Sequence, residues 1–441
     1  MNTRLHAISD ADKLFYYLFS DEESCSVFLE LSLCRKVNGA SLKEALHKTL
    51  RRFPNFRQRP VLDGEGHLFT VDHAEDADVY PYDPDCCDFA TTDTKGFLFR
   101  VMYTDRKVMV SVFHAVCDGM GLYLFARTLL YHYFRLEGHE IAFREGDILT
   151  EEMPPDPSET ADPFTLYPEV NASARPAFQM TNHERVFRLP ETRGNARGNT
   201  IHRRYRFVLD AEKLLSLSRR AETTLDAYFN LLVARTIHTH YDTQGLLVTE
   251  IGAVDLRPFY GSHYLQNMRE LFFVPFPDSW FSLEEKEALH KIRDGIMKAQ
   301  LRKSHYDAVL YANKESWGRM FSFPASDAAA LGSLRDGLWS DPGYHVSFFT
   351  TNMGRFDPHG MFDSLLQEAE ITAPCIFPHP SFFVVTQGGK TMVNLVQRHG
   401  NKKLPLLLRE VFSSRGLLVE YRECGWFESD KLRLRSLPVF S

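Results

Sequence analysis

The sequence predicts a mixed α/β protein built from two lobes. Its 441 residues exceed what one hydrophobic core normally organises, which favours two domains or two large lobes. Short β-branched and apolar runs alternate with segments whose apolar residues recur at helical spacing, the pattern of mixed sheets covered by helices. A polar stretch punctuated by prolines separates the halves. We therefore divide the chain into an N-terminal lobe at 1–150, a proline-rich crossover at 151–200 and a C-terminal lobe at 201–441.

The first half is predicted to be a sheet with helices. The sequence Asp63-Gly64-Glu65-Gly66 favours a hairpin, because glycine tolerates the positive φ of tight turns. The predicted elements of this half are an amphipathic segment at 10–19, a helix at 40–53, an apolar helix that includes residues 122–134, and strands at 26–34, 56–61, 68–71, 97–103 and 108–113.

The second half repeats the alternation after the crossover. For the central part of the crossover, simple disorder is the alternative interpretation. The predicted elements after it are strands at 202–208, 246–254, 345–350, 381–386, 391–396 and 416–421, and helices at 211–220, 225–240, 283–299 and 405–412.

The motif that carries the most chemical information is Phe113-His114-Ala115-Val116-Cys117-Asp118-Gly119, at the junction of an apolar strand and an apolar helix. A histidine at such a turn can be held by its backbone while its ring faces a cleft. Imidazole titrates near neutral pH and can therefore take up and return a proton in one catalytic cycle. Gly119 permits the positive φ or the close backbone approach that a sharp turn needs. The alternative is a core histidine followed by a capping Asp-Gly turn.

This motif resembles the HHxxxDG signature of the CoA-dependent acyltransferases, which include chloramphenicol acetyltransferase, condensation domains of peptide synthetases and alcohol acetyltransferases. Phe113 stands at the position of the first histidine. The second histidine, to which the family assigns the chemistry, corresponds to His114. The resemblance implies two chloramphenicol-acetyltransferase-like lobes, each a mixed sheet with helices, arranged as a V with one active site between them.

Two further segments carry the resemblance. Residues 254–258, with the sequence Val-Asp-Leu-Arg-Pro, are similar to a VDLRP-like segment of the family, which implies that Arg257 forms a buried ion pair with Asp118 and that the pair has a structural role. A surface arginine before a proline turn is the alternative. Residues 350–355 are similar to the family's S/T-N-x-G segment near the acyl site. That similarity assigns oxyanion or substrate contacts to Thr351, Asn352 and Gly354, and a simple Asn-x-Gly turn is the alternative.

A weak internal repeat supports two related lobes. Residues 109–113 lead through a loop containing glycine into an apolar helix, and residues 392–396 do the same through Arg398-His399-Gly400. The second copy lacks the aspartate of the motif. Similar strand–loop–helix units also arise by chance, so the repeat is only suggestive.

Composition argues against several other classes. A net charge of −7 disfavours a nucleic-acid binder, and neither a signal peptide nor an apolar run of membrane-spanning length is evident. Seven scattered cysteines without a CxxC pair favour a reducing cytoplasm. We expect no metal site, because Phe143 and Phe187 replace the second histidine of the two HExxH-like starts at His139 and His183. The chain contains no GxSxG elbow of a serine hydrolase.

The resemblance implies an alcohol-acetyltransferase-like enzyme. His114 would deprotonate a hydroxyl or amine of a small-molecule acceptor, which attacks an acyl thioester. Acyl-CoA is the expected co-substrate, an acyl carrier protein is the alternative donor, and no bound cofactor is expected. We expect a monomer, because both lobes lie in one chain. The rival hypothesis, suggested by Phe113, is a catalytically silent condensation-like module that binds a carrier protein or partner. Thioester hydrolysis is a third and weaker possibility.

Overall fold

The computed structural model describes residues 4–21, 23, 25–163, 185–192, 201–341, 345–375 and 378–440. Its strands are β1 Ser26–Leu33, β2 Gln58–Leu62, β3 Leu68–Asp72, β4 Val79–Pro81, β5 Asp88–Phe89, β6 Phe99–Tyr103, β7 Lys107–Phe113, β8 Ile201–Asp210, β9 Val248–Asp255, β10 Arg269–Phe276, β11 Phe348–Arg355, β12 Leu366–Thr372, β13 Ser381–Gln387, β14 Lys390–Gln397, β15 Leu418–Glu428 and β16 Lys431–Leu432. The helices of eight or more residues are α1 Asp10–Leu18, α2 Gly39–Leu50, α3 Gly119–Leu136, α4 Ala211–Arg220, α5 Leu225–His240, α6 Lys303–Met320, α7 Ala328–Ser340 and α8 Lys403–Ser414. Shorter α-helical segments are Arg257–Tyr260, Asp278–Phe281, Glu285–His290 and Lys298–Gln300.

The first sheet has five strands in the order β12-β1-β7-β6-β4. Neighbours pair antiparallel except β4 and β6, which are parallel. The central strand β7 is buried from Val108 to Phe113, as its continuous apolar sequence predicts for a strand covered on both faces. The end of β7 is therefore a rigid position from which the following loop is held.

The second sheet has seven strands in the order β10-β9-β11-β13-β14-β8-β15. The pairs β9–β11 and β11–β13 are parallel, and the others are antiparallel. A hydrophobic cluster packs α5 and α8 against this sheet through Phe229, Phe382 and Phe412. Mixed sheets covered by helices confirm the predicted fold class.

Strand β12 crosses from the second half of the chain into the first sheet, where it pairs with β1. Its sequence contains two carboxylates, Glu368 and Glu370, which are unfavourable in a buried strand unless they are paired. Glu368 and Glu370 accept hydrogen bonds from the Arg206 guanidinium of β8 at 2.8 and 2.7 Å. These bonds join the two sheets. The segment boundaries at 150 and 201 therefore divide the chain in sequence, but they do not separate the strands of one sheet from those of the other.

Helix α3 begins at the motif. Asp118 is its N-cap, and the Asp118 carboxylate accepts a hydrogen bond from the Gly121 backbone N–H at 2.9 Å. The helix packs on α2, and Phe125 stacks on Phe56 with ring centroids 3.9 Å apart. Both faces of α3 are largely buried, which explains its nearly continuous apolar sequence.

Among the strands of seven or more residues and the helices of eight or more, β10, β12, α6 and α7 were not predicted from the sequence. In β10, Pro275 obscured a strand that pairs on one side only, with β9, where a proline is tolerated. The helix predicted at 283–299 was wrong as a single α-helix. It divides into Glu285–His290, a π-helical segment at Lys291–Met297 and Lys298–Gln300.

The described part of the predicted crossover is packed against the rest of the protein. Arg52 and Glu159 form a buried ion pair, and Phe187 and Leu189 are buried in the second hydrophobic cluster. Residues 164–184 and 193–200 of the predicted crossover, which include Pro168 and Pro176, lie outside the described residues.

Candidate active site

A cavity of about 560 Å³ lies between the two sheets. The first half contributes α1, β1 and the loop after β7, and the second half contributes β9, β10, β11 and β13. Its apolar lining includes Phe15, Val27, Ile251, Phe349 and Phe383. A mostly apolar cavity with a few polar groups is the usual form of a small-molecule site.

His114 follows β7 directly and lines this cavity. Its backbone N–H donates to the Cys25 carbonyl of the neighbouring strand end at 2.9 Å, which fixes the loop. Phe113, one residue earlier, is fully buried and packs against Tyr16 on the other side of the chain. Successive side chains of a strand point to opposite faces, so Phe113 belongs to the core while His114 reaches the cavity.

The His114 ring is held between an aromatic surface and one hydrogen bond. It stacks on Phe15 with centroids 4.1 Å apart and an interplanar angle of 8°. Its Nδ1 lies 3.0 Å from the Asn267 Oδ1. The Asn267 Nδ2 donates to the His114 carbonyl and to the Asp12 carboxylate, both at 2.8 Å.

These contacts determine the imidazole tautomer. Both partners of the Asn267 Nδ2 are acceptors, so the amide nitrogen must face them and Oδ1 must face His114. Nδ1 of His114 therefore carries the proton and donates it to Asn267. In this neutral ring, Nε2 keeps the lone pair and is the nitrogen able to act as a base.

Asp12 of α1 anchors this arrangement from behind. Besides Asn267, its carboxylate accepts hydrogen bonds from the Ser9 hydroxyl at 2.6 Å and the Tyr264 hydroxyl at 2.8 Å. Burial raises the pKa of Asp12 to about 6, partly offset by its hydrogen bonds to Ser9, Asn267 and Tyr264. The chain Asp12–Asn267–His114 thus runs from a buried carboxylate to the ring that faces the cavity.

Burial, and secondarily the positive charge of Arg269, lowers the pKa of His114 to about 4. The ring is therefore neutral at physiological pH. A neutral imidazole with its lone pair on Nε2 is ready to accept a proton from a bound ligand.

Asp118 and Arg257 form a bidentate ion pair behind the loop, the pairing that the resemblance implies. The two Nη–Oδ distances are 2.9 and 3.0 Å, and both side chains are largely buried. Arg257 also donates to the Tyr264 and Gln266 carbonyls at 2.7 Å. Burial by itself would raise the pKa of the Asp118 carboxyl. The charge and hydrogen bonds of Arg257 outweigh the effect of burial, so this pKa lies below its usual value. The pair ties the start of α3 to the segment that supplies Asn267.

Gly119 does not have a positive φ. A Cβ at this position would lie 2.4 Å from the Met353 Cε, the end of a flexible side chain that would have to move aside. Residues 351–353 of β11, Gly119 and His114 line one cavity.

The three residues of the predicted oxyanion segment have different places. Thr351 lines the cavity, and its hydroxyl makes only a long contact of 4.0 Å to the Met353 sulfur. Asn352 also lines the cavity, but its Oδ1 accepts from the Gly354 N–H at 3.0 Å and its side chain hydrogen-bonds Asp226. Gly354 has a φ of +67° and is exposed, so it serves the turn. Of the three residues, Thr351 has the side-chain polar group that is most available to a ligand.

Sequence reasoning missed Asn267 and Asp12. Neither belongs to a motif quoted above, although Asn267 comes shortly after the segment that contains Arg257. Cys117, which lies inside the motif, is fully buried, and burial raises the pKa of its thiol well above the usual value, so it stays protonated.

Other types of site have little support in the part of the chain that the structure describes. No group of three or more histidine, cysteine, aspartate or glutamate side chains there is arranged to hold a metal ion. None of the described helices is both long enough and apolar enough to cross a bilayer.

Comparisons with known proteins place the fold. No family model and no curated sequence matches the chain. Among solved structures, polyketide synthase associated protein 5 from Mycobacterium tuberculosis is similar over 93% of this chain and 97% of its own, with 12% identity and a TM-score of 0.60. TRI101 from F. graminearum, solved with ethyl coenzyme A, matches 95% of this chain and 99% of its own, with 12% identity and a TM-score of 0.58.

A third similar structure is the starter condensation domain of the rhizomide synthetase RzmA, a mutant solved with C8-CoA. It covers 99% of this chain and 98% of its own, with 14% identity and a TM-score of 0.55. All three comparisons cover nearly the whole of both chains. The protein therefore has the two-lobed, chloramphenicol-acetyltransferase-like fold of these structures.

Proposed function

We propose that the protein transfers an acyl group from an acyl thioester, acyl-CoA in the first instance, to the hydroxyl or amine of a small molecule. The observation that carries the proposal is the His114 ring, neutral and fixed as the Nδ1–H tautomer in a cavity between the lobes. CoA ligands in the TRI101 and RzmA structures support a CoA thioester as the donor.

In the proposed reaction, Nε2 of His114 takes the proton of the acceptor as the acceptor oxygen or nitrogen attacks the thioester carbonyl carbon. The carbonyl electron pair moves onto oxygen, and the Thr351 hydroxyl donates a hydrogen bond to the resulting oxyanion. Collapse of the tetrahedral intermediate breaks the carbon–sulfur bond, and the imidazolium returns its proton to the departing thiolate. No acyl-enzyme is formed, and the buried Cys117 takes no part.

Asp118 and Arg257 have a structural role in this mechanism. Their ion pair holds the loop of His114 against the segment of Asn267. Phe113 lends the silent-module hypothesis no support, because its side chain lies in the core and not in the cavity. We propose that one chain, which carries both lobes, acts as a monomer in the cytoplasm. An acyl carrier protein is the alternative source of the thioester.

The decisive experiment measures CoA release from acyl-CoAs of two to ten carbons with mixed alcohols and amines. Wild type is compared with His114→Ala and with His240→Ala, a control at an exposed histidine far along α5. Acceptor-dependent release that His114→Ala abolishes and His240→Ala retains supports transfer. Release without an acceptor indicates hydrolysis, and no release by folded protein with CoA or carrier-bound thioesters supports the silent module.

A further inference from the structure

Arg269, the first residue of β10, lines the same cavity as His114. It is partly buried and lies over the ring of Phe15, with its Cζ 5.1 Å from the ring centroid. The same ring stacks on His114 at 4.1 Å. The guanidinium and the imidazole therefore share one aromatic support, and their separation cannot exceed the sum of these two distances.

The guanidinium of Arg269 has no carboxylate partner in the part of the chain that the structure describes. No side-chain hydrogen bond or ion pair of Arg269 is formed there, and its contact is the Phe15 ring. Arg269 is also the only arginine or lysine among the described residues that line the cavity. A planar carboxylate is the ligand that matches the donors of a guanidinium.

The acidic residues of the lining are already engaged. Asp118 and Asp255 accept hydrogen bonds from Arg257. Glu270 accepts from the Asn313 amide at 2.8 Å and from the Leu271 N–H at 2.9 Å, and burial raises its pKa against the opposing effect of these bonds and of the nearby Arg269 charge. The charge of Asp341 acts on His345. No carboxylate of the described lining hydrogen-bonds Arg269, so its guanidinium donors are open to a ligand.

We infer that Arg269 binds a substrate carboxylate, and that the acceptor is a hydroxy- or amino-carboxylic acid whose nucleophile reaches His114 when its carboxylate meets Arg269. This inference rests on the proposed function and names the substrate class of the same site. Because both groups contact the Phe15 ring, a compact acid can reach both of them at once. A dicarboxylic acyl group would offer the same anion from the donor side.

Binding of the carboxylate also helps the base. The charge of Arg269 contributes to lowering the pKa of His114. A carboxylate beside Arg269 neutralises that charge and raises the proton affinity of Nε2 as the acceptor arrives. A neutral acceptor gains neither the ion pair nor the stronger base.

The test compares lactate, 3-hydroxybutyrate and β-alanine with their methyl esters and amides as acceptors, using acetyl-CoA and succinyl-CoA. Wild type is measured beside Arg269→Gln, Arg269→Lys and the exposed control Arg220→Gln. Wild type and the control should prefer an acid over its ester or amide by about 10- to 100-fold in kcat/KM, the effect of one charged hydrogen-bonded pair. Arg269→Gln should lose that preference and Arg269→Lys should keep part of it.

The donor comparison identifies the source of the carboxylate. A preference for succinyl-CoA over acetyl-CoA that disappears in Arg269→Gln assigns the anion to the acyl group. Arg269→Gln should also shift the acidic limb of kcat/KM to higher pH, a change that a merely structural residue would not cause. Equal use of acids and neutral analogues by wild type, or an acid preference that survives in Arg269→Gln, rejects the inference.

Calorimetric binding of the same acids separates this inference from the proposed function, because it needs no turnover. It is measured in the His114→Ala background with and without Arg269→Gln. Binding that depends on Arg269, together with no acyl transfer by the wild type, retains the carboxylate site and rejects the proposed function. Absence of binding by every acid, or binding unaffected by Arg269→Gln, rejects the carboxylate site.

Discussion

Two units of the chain, β7 to α3 and β14 to α8, share the order strand, loop and helix, but only the first opens onto the cavity. His114 follows β7 and lines the cavity. When Met109 is aligned with Met392, the equivalent of His114 is Gln397, which is fully buried and donates to the Asn401 carbonyl at 2.7 Å. The fully described loop of residues 397–401 contributes nothing to the cavity lining.

Each loop is held by a charge from the other half of the chain. Arg257 of the second half binds Asp118 of the first loop, and Arg398 of the second loop binds Glu23 of the first half at 2.8 Å. The ion pairs are alike, yet only the first loop presents a titratable ring to a ligand. The comparison teaches that the shared architecture stabilises both loops, while the reactive character comes from the groups around His114.

The largest expected effect is the difference in kcat/KM between substitutions of His114 and of Gln397. His114→Ala should lower kcat/KM by about 10²- to 10⁴-fold, the contribution of a general base, with little change in melting temperature. Gln397→Ala should keep kcat/KM and lower the free energy of unfolding by about 1–2 kcal/mol, because it removes a buried hydrogen bond. Acyl-transfer kinetics and thermal unfolding of the two variants check this. Equal losses of activity would break the distinction between the loops.

The two ion pairs provide the next comparison. Asp118→Ala or Glu23→Ala should each lower the free energy of unfolding by about 3–5 kcal/mol, because an arginine loses its buried partner. Only Asp118→Ala should also lower kcat in the protein that remains folded, since that pair holds the His114 loop. Denaturant unfolding and kinetics below the melting temperature measure both effects. A loss of kcat in Glu23→Ala would mean that both loops act on the chemistry.

Asn267 tests the assignment of the tautomer. Asn267→Leu, of similar size, should lower kcat by about 10- to 100-fold, because His114 loses the acceptor that keeps the proton on Nδ1. Asn394→Leu is the matched control, since Asn394 is a buried asparagine of β14 that donates to the Ile371 carbonyl at 3.0 Å. It should affect stability and not kcat. An unchanged kcat in Asn267→Leu would remove the Asp12–Asn267 chain from the mechanism.

The smallest effect concerns pH. Since the pKa of His114 is lowered to about 4, its base form persists below the ordinary histidine value of 6.5, and kcat/KM should fall with a midpoint nearer 4. Asp12, whose pKa is raised to about 6, titrates in the same network. A component near pH 6 that disappears in Asp12→Asn belongs to Asp12. A single acidic midpoint at 6.5 in both proteins would show that His114 is not desolvated as described.

The pH dependence of stability has a matching sign. Between pH 6.5 and about 4 the unfolded chain binds a proton at His114 that the folded protein does not, so this group lowers stability as pH falls. Asp12 acts in the opposite direction, because its folded form favours the proton and its stabilising contribution is lost as pH rises through about 6. Unfolding of His114→Ala and Asp12→Asn across this range should separate the two contributions.

Local patterns were sufficient for much of the fold. The apolar run of β7, the helical spacing in α3 and the hairpin signal at residues 63–66 each depend on neighbours in sequence, and the structure contains all three elements. The elements that were missed depend on distant partners. β12 carries glutamates whose partners, Arg206 among them, come from distant strands, and α6 has no clear apolar face in its sequence.

The same division holds at the candidate site. The sequence by itself supplied the His114 motif and the alternation that predicts the fold class, because strand-to-helix turns and capping residues are encoded locally. The pairing candidate Arg257 came from the resemblance to the acyltransferases. Only the tertiary structure decided that Asn267 fixes the tautomer of His114, that Asn352 is engaged by its own turn and by Asp226, and that Arg269 shares the Phe15 ring with His114. Hydrogen bonds, burial and electrostatic fields depend on distances between atoms, and residues 150 positions apart acquire such distances only when the chain has folded.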